Sequence, residues 1–169
     1  MLVKLFFATS RAFVPGDIIQ LPQAPHLNNA GAQWLAMEAA FEAAKPAALH
    51  SRGTSRFACL SMEDCLTFYG PQAVGANPKR VYRVFMHNPT TAPMALCGRG
   101  LHHHGTAATL AAIAQEYWAK QQHQWQYLEY IAPEMGVINE VLTPPDVMVM
   151  AGSAVRYGND RARAIQLWP

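Results

Sequence analysis

Two arginines around a run of small residues are the part of this chain best suited to holding an anionic ligand. Arg52 and Arg56 flank Gly53-Thr54-Ser55. Backbone N–H groups of such a loop, together with two guanidinium forks, could bind phosphate oxygens. The other interpretation is a surface loop with two solvated arginines, and the sequence leaves both open.

A late glutamate is the second candidate for chemistry. Glu129 lies among the aromatic residues Trp125, Tyr127 and Tyr130. A carboxylate in such surroundings is either desolvated, with a raised pKa, or the exposed member of an alternating strand. Both interpretations remain open at this point.

A histidine run offers a weaker signal for a metal site. His102-His103-His104 stands between Gly100 and Gly105. Adjacent side chains on an irregular loop diverge, and neither a cysteine nor a carboxylate lies nearby to complete a ligand shell. We therefore expect an exposed polar loop and no bound metal.

Composition favours one folded domain over residues 1–169, because 51% of the residues are apolar and 14% are charged. The sequence lacks an apolar run of the roughly 18 residues that a membrane span requires. The apolar stretch that follows Lys4 is too short for a signal peptide. Cys59, Cys65 and Cys97 cannot all pair, so we expect core thiols and a cytoplasmic protein.

The charge distribution adds one expectation about partners. The net charge is +2, yet no acidic residue lies between Asp64 and Glu116. Basic residues and histidines do fall in that stretch. They either scatter over a solvated face or form a surface that meets phosphates.

Hydrophobic patterning predicts the elements that must position these residues. Strands are expected at 2–7, buried on both faces, and then at 18–21, 56–60, 81–86, 127–132, 137–142, 147–150 and 164–168. Helices are expected from Asn29 to Pro46, after a capping sequence at Ser61, and after Thr106. Residues 88–105 are rich in Pro and Gly and are expected to form a long loop. Because helices and strands do not strictly alternate, the order favours an α+β fold with mainly antiparallel sheets.

The sequence does not predict a glycine-loop nucleotide site. The chain contains neither G-x-G-x-x-G nor G-x-x-x-x-G-K-[ST]. A dinucleotide would have to be held in another way.

The opening of the chain resembles the ADP-ribosyltransferase superfamily, in particular the rifampin ADP-ribosyltransferases and similar bacterial proteins. Phe6-Phe7-Ala8-Thr9 is followed at a fixed distance by Pro15-Gly16-Asp17-Ile18-Ile19. Family members open with an aromatic strand that ends in His-Gly-Thr and reach a Gly-Asp turn at this interval. Here Thr9 and the Gly-Asp turn match, whereas Phe7 stands in place of the His and Ala8 in place of the Gly.

Further segments resemble the family in the same order. The segment 56–61 is similar to its aromatic-x-Ser strand, which ends here at Ser61, and 81–84 is similar to the next core strand. Glu116-Tyr117-Trp118 with 126–130 resembles the segment that delivers an acidic residue. The resemblance covers most of the chain and rests on order and spacing.

The resemblance implies a split pair of antiparallel sheets with flanking helices and a cleft that binds NAD as a substrate. Glu129 would support the oxocarbenium-like centre while nicotinamide leaves, and Phe57 or Tyr69 would offer an aromatic face to the nicotinamide ring. The remaining cofactor-binding residues are then Phe7, Thr9, Arg52, Ser55, Arg56 and Ser61.

Two functions are consistent with this likeness. One is transfer of ADP-ribose to a macromolecule, either protein or RNA or DNA, by a bacterial toxin, effector or defence protein that acts in the cytoplasm or is delivered into a target cell. The other is a catalytically inactive interaction module, because Phe7 cannot make the ribose hydrogen bond of the family histidine. An antitoxin, immunity protein or chaperone is an expected partner, and a membrane is not.

Overall fold

The computed structural model describes residues 1–20, 31–69, 79–119, 128–147 and 150. The chain divides into two compact units. The first unit comprises Met1–Ile19, Ala58–Asn88 and Met135–Pro169, and the second comprises Gln20–Phe57 and Pro89–Glu134. The expectation of a single domain over 1–169 stays a prediction.

The described residues contain strands, α-helices and one short 3-10 helix. The strands are β1 (Leu2–Thr9), β2 (Ile18–Gln20), β3 (Arg56–Cys59), β4 (Arg80–His87), β5 (Thr90–Pro93), β6 (Leu128–Ala132) and β7 (Glu134–Leu142). The helices are α1 (Ala32–Ala44), the 3-10 helix Arg52–Thr54, α2 (Met62–Tyr69), α3 (Ala95–His102) and α4 (Ala107–Trp118). Strand pairs of defined register are antiparallel, which confirms the α+β class predicted from the sequence.

The first unit is organised around the long antiparallel pair of β1 and β4, in register from Leu2 opposite His87 to Thr9 opposite Arg80. β4 pairs on its other side with β7, through two irregularities in register. One face of this ladder forms the core, with Leu5, Tyr82, Val84 and Met86 fully buried. On the other face Leu2 and Lys4 are exposed. The expectation that β1 is buried on both faces is therefore wrong, because that second face stays partly open to solvent.

The turn before β2 has the geometry that its residues predict. Gly16 adopts a positive φ of 94°, the conformation that glycine accepts without a steric cost. The N–H of Asp17 donates to the carbonyl of Val14 at 3.1 Å, and an Asp17 carboxylate oxygen accepts from the Val14 N–H at 2.8 Å. The side chain and the backbone thus close the same turn.

The second unit buries one apolar cluster among α1, α3, α4 and the antiparallel pair of β5 and β6. Its largest buried members include Phe41, Leu96, Tyr117 and Ile131. The indole N–H of Trp118 donates to the carbonyl of Phe41 at 2.6 Å, which fixes the end of α4 against α1. Such a cluster supplies the burial that short helices need in order to be stable.

Two predictions about elements are wrong. Residues 88–105 contain β5 and α3 instead of a long loop. α3 tolerates its glycines because Gly100 lies against α1, where a Cβ would come within 2.8 Å of the Met37 side chain. Val147 belongs to a helical stretch, 144–147, and not to a strand. The strand expected at 164–168 lies outside the described residues.

Helix length bears on the question of a membrane span. Within the described ranges, every helix is too short or too polar to cross a bilayer.

Candidate functional site

A buried arginine is the centre of the candidate site, which lies within the second unit. Arg52 begins the 3-10 helix and is 4% exposed. Its Nε donates to both carboxylate oxygens of Glu38, at 3.2 and 2.9 Å, and its Nη2 donates to Oε1 of Glu38 at 2.9 Å. This is the fork geometry in which a guanidinium binds a carboxylate most strongly. Glu38, on α1, is 5% exposed, so the pair is shielded from water.

The other end of the guanidinium meets Glu129 of β6. Nη1 of Arg52 and the hydroxyl of Tyr117 both donate to Oε1 of Glu129, and the thiol of Cys97 lies 3.8 Å from the same oxygen. Nη1 also donates to the Tyr117 hydroxyl at 2.6 Å. Oε2 of Glu129 receives no hydrogen bond from any residue in the described part of the chain. The described residues therefore anchor the carboxylate through one oxygen, Oε1.

Aromatic rings enclose the guanidinium. The Cζ atom of Arg52 lies 4.7 Å from the ring centroid of Phe57, 5.3 Å from that of Tyr117 and 5.9 Å from that of Phe41. A cation over these faces is stabilised by the ring quadrupoles, and more so where water is excluded. The rings and the carboxylates together hold one positive charge in the interior.

Burial determines the protonation of the site. Desolvation raises the pKa of Glu129, although Arg52 and the hydrogen bond from Tyr117 act in the opposite direction. Desolvation also raises the pKa of Tyr117 and of Cys97 well above their usual ranges, so the phenol and the thiol keep their protons at neutral pH. Burial alone would lower the pKa of Arg52, but the surrounding acidic groups raise it. We call Arg52, Glu38, Glu129, Tyr117 and Cys97 the buried charge cluster.

The helices place two members of the buried charge cluster through ordinary periodicity. On α1 the buried residues are Met37, Glu38 and Phe41, so the glutamate lies on the apolar face of the helix. On α4 the buried face includes Ile113 and Tyr117, one helical turn apart. Packing of these faces against each other brings a carboxylate and a phenol to the same guanidinium.

Of the residues predicted from the sequence, the structure brings Arg52, Glu129 and Phe57 together. The alternative in which Arg52 is a solvated surface residue is wrong, because two carboxylates and the core enclose it. Its expected role as a phosphate donor stays a prediction; in this structure its Nε, Nη1 and Nη2 atoms bond to protein oxygens. For Glu129, the desolvated alternative is the one that the structure shows.

The other two residues of the predicted loop are placed differently. Ser55 is 1% exposed, and its hydroxyl finds no hydrogen-bond partner among the residues that the structure describes. Arg56 is half-buried and donates from Nη2 to the carbonyl of Gln20 at 2.8 Å. Ser55 thus retains an unused buried donor, and one guanidinium nitrogen of Arg56 is bonded to the backbone.

The remaining predicted site residues belong to the first unit. Phe7 is a core residue of β1 with 9% exposure. The hydroxyl of Thr9 accepts a hydrogen bond from the N–H of Arg11 at 3.2 Å. The hydroxyl of Ser61 accepts from the N–H of Asp64 at 3.0 Å, as the capping sequence predicts. Tyr69 ends α2, and its side chain lies outside the described residues.

The histidines take part in a helix end and not in a loop. His102 ends α3, His103 caps it, and the ring of His104 lies 2.8 Å from the carbonyl of Leu101. Across the described ranges, no three or more His, Cys, Asp or Glu side chains are grouped to hold a metal ion.

Sequence reasoning missed Glu38 as a member of the site, although a signal for it was present. Glu38 follows Trp34 by four residues and precedes Phe41 by three, which places it on the apolar stripe predicted for α1. A charged residue on such a stripe needs a buried partner. Tyr117 and Cys97 gave no comparable signal, because both residue types are common in cores.

Comparison with known proteins does not assign the chain to a family. No protein-family model matches the chain, and no curated protein matches it.

Proposed function

We propose that this chain is an NAD-dependent ADP-ribosyltransferase of the α+β class, and that Glu129 is its catalytic carboxylate. The observation that carries the proposal is the asymmetry of Glu129. Its Oε1 is fixed by Arg52 and Tyr117, whereas Oε2 lacks a donor among the described residues. A carboxylate that the described residues orient through one oxygen suits the stabilisation of a developing positive charge at a sugar carbon by the other oxygen.

The chemistry of the proposal follows from the charges. Nicotinamide leaves NAD with the electrons of its glycosidic bond, and the ribose carbon becomes positive until the acceptor nucleophile bonds to it. Oε2 of Glu129 would face this centre, and the buried hydroxyl of Ser55 would donate to a cofactor oxygen. The ring of Phe57 would offer a flat face to nicotinamide. Arg52 would act as a positioning residue for Glu129.

Burial imposes a condition on this mechanism. Glu129 is 3% exposed, so the surrounding side chains must move apart before NAD can reach it. Hydration during this opening would lower the pKa of Glu129 towards its ordinary range, which favours the ionised carboxylate. The closed state is then inactive, and NAD binding selects the open state.

The acceptor is proposed to be a macromolecule, protein or nucleic acid, and the protein to be a bacterial toxin, effector or defence protein. The three cysteines are buried thiols outside any disulfide, which fits a reducing compartment such as the cytoplasm.

The test of this function is NAD binding by calorimetry together with transfer of label from NAD to candidate acceptors. Glu129→Gln keeps an oxygen for Arg52 and Tyr117, and we expect a loss of about 100-fold or more in kcat with NAD affinity nearly unchanged. Glu116→Gln is the matched control. Glu116 lies on α4, its side chain is partly exposed, and it forms an ion pair with Arg99 of α3 outside the buried charge cluster. Transfer that survives Glu129→Gln at the native rate would overturn the catalytic assignment.

A second candidate function, an inactive module that binds an antitoxin, immunity protein or chaperone, is favoured by one observation. The guanidinium of Arg52 is held by Glu38 and Glu129 and is not presented to a phosphate. Phe7 likewise carries no hydrogen-bonding group. Absence of NAD binding by the native protein and by Phe7→His would decide for this candidate.

A further inference from the structure

The open face of the β1–β4 ladder carries a pattern that neither candidate function uses. β-Strand alternation places Leu2, Lys4 and Phe6 of β1 on one face. Their cross-strand partners are His87, Phe85 and Arg83 of β4, in that order. Lys4, Arg83 and His87 are exposed, and the two phenylalanines are partly exposed. We call these six residues the ladder face.

Two aromatic rings of the ladder face pack against its neighbouring residues. A Cβ built on Gly136 of β7 would overlap the ring of Phe85, so that ring lies directly over the glycine. Phe6 packs beside Arg83, whose Cζ atom is 5.7 Å from the ring centroid. Both phenylalanines remain partly exposed, so part of each ring is open to solvent.

The positive charges of the ladder face are not neutralised locally. Lys4 and Arg83 form no ion pair with any acidic side chain in the described part of the first unit. Arg80, on the same strand, does pair with Glu140, at 2.8 Å. The ladder face therefore combines a lysine and an arginine, neither paired with an acid in the described part of the first unit, with two phenylalanines and a histidine at the end of the ladder.

We infer that the ladder face binds single-stranded nucleic acid, with Phe6 and Phe85 stacking on bases and Lys4 and Arg83 contacting the phosphates between them. Neighbouring strands of an antiparallel sheet lie about 5 Å apart, and aromatic residues on such strands stack successive unpaired bases in known single-strand binding sheets. A duplex keeps its bases stacked inside and offers no face to these rings. This inference is independent of ADP-ribose transfer.

The test uses the full chain and fluorescence anisotropy with three labelled probes: a 12-nucleotide uridine RNA, the matching thymidine DNA and a 12-base-pair DNA duplex. We expect both single strands to bind more tightly than the duplex. Comparison of the RNA and DNA arms shows whether the 2′-hydroxyl adds affinity. The dependence of log Kd on log salt should have a slope of about 1.4, from about 0.7 per phosphate contact with single strands.

Two pairs of variants separate the ladder face from general effects. Phe6→Leu keeps an apolar side chain but removes the ring, and we expect at least about fivefold weaker binding. Phe13→Leu is its control, because Phe13 packs edge-on against Tyr82 of the opposite, buried face. Arg83→Gln should weaken binding and reduce the salt slope, whereas Arg11→Gln removes an exposed arginine outside the ladder.

The outcomes are decisive in either direction once circular dichroism shows that the variants are folded. Two results would overturn the inference. One is an equal loss of affinity for single strands in Phe6→Leu and Phe13→Leu, and the other is duplex binding as tight as single-strand binding. So would the absence of binding by the native protein at low salt. Loss of ADP-ribose transfer in Glu129→Gln leaves this result unchanged, so the two proposals fail separately.

Discussion

Replacement of Arg52 by methionine is the most informative perturbation of the buried charge cluster. The substitution keeps an unbranched apolar stem but removes the cation that Glu38 and Glu129 share. Two carboxylates, each about 95% buried or more, would then lose the guanidinium that they share in the core. Removal of one member of a buried ion pair costs about 3–5 kcal/mol, because an uncompensated charge remains.

The pH dependence of this loss follows from the same charges. Without Arg52, the carboxyl of Glu129 must take up a proton to remain buried, and the unfolded chain would hold that proton only below about pH 4.5. The folded variant therefore binds up to one more proton at Glu129 than the unfolded one at neutral pH. Each extra proton changes stability by about 1.4 kcal/mol per pH unit. The difference in the free energy of unfolding between the native protein and Arg52→Met should therefore shrink as the pH falls.

The assay is urea denaturation followed by circular dichroism, at pH 7 and at pH 4.5, for the native protein and Arg52→Met. A triple variant in which Arg52 becomes Met and both Glu38 and Glu129 become Leu is the control, since it removes the charges together. We expect the triple variant to recover most of the lost stability. A loss below about 1 kcal/mol for Arg52→Met at pH 7, typical of a solvent-exposed ion pair, would refute the reasoning.

Three further predictions concern single groups. Tyr117→Phe should lower the free energy of unfolding by about 1–3 kcal/mol in urea denaturation, because it removes the hydroxyl shared by two charged partners in the core; a loss no larger than experimental error would contradict that bonding. Gly136→Ala should lower the free energy of unfolding by about 1–3 kcal/mol in a thermal or urea melt, since its Cβ would overlap the Phe85 ring. In the control Gly98→Ala, the new Cβ meets open space on α3, so the free energy of unfolding should stay the same or rise. Carbon-13 NMR of Glu129 should show a pKa above 4.5 in the folded protein. The contribution of the Glu129 proton to stability should be fully present below pH 4.5 and decrease as the pH rises through the folded-state pKa. A pKa at or below 4.5 would show that desolvation does not dominate.

Strands and helices with strong local signals could be predicted from the sequence. β4 is rich in β-branched and aromatic residues, and α1 and α4 carry apolar stripes at helical spacing. The loop predicted for 88–105 failed because glycine and proline were read as breakers of structure. α3 forms there because Gly100 permits close contact with α1, and this benefit exists only after the chain has folded.

The sequence by itself determined the strands and helices with strong local signals, such as β4, α1 and α4, the charge balance, and the candidacy of Arg52 and Glu129. Residue types and spacings fix these features locally. Only the tertiary structure decided that Arg52 lies between Glu38 and Glu129, and that one face of the β1–β4 ladder stays open. The burial of a side chain and the identity of its charge partner depend on contacts between distant segments, and these contacts set the electrostatics of both proposed sites.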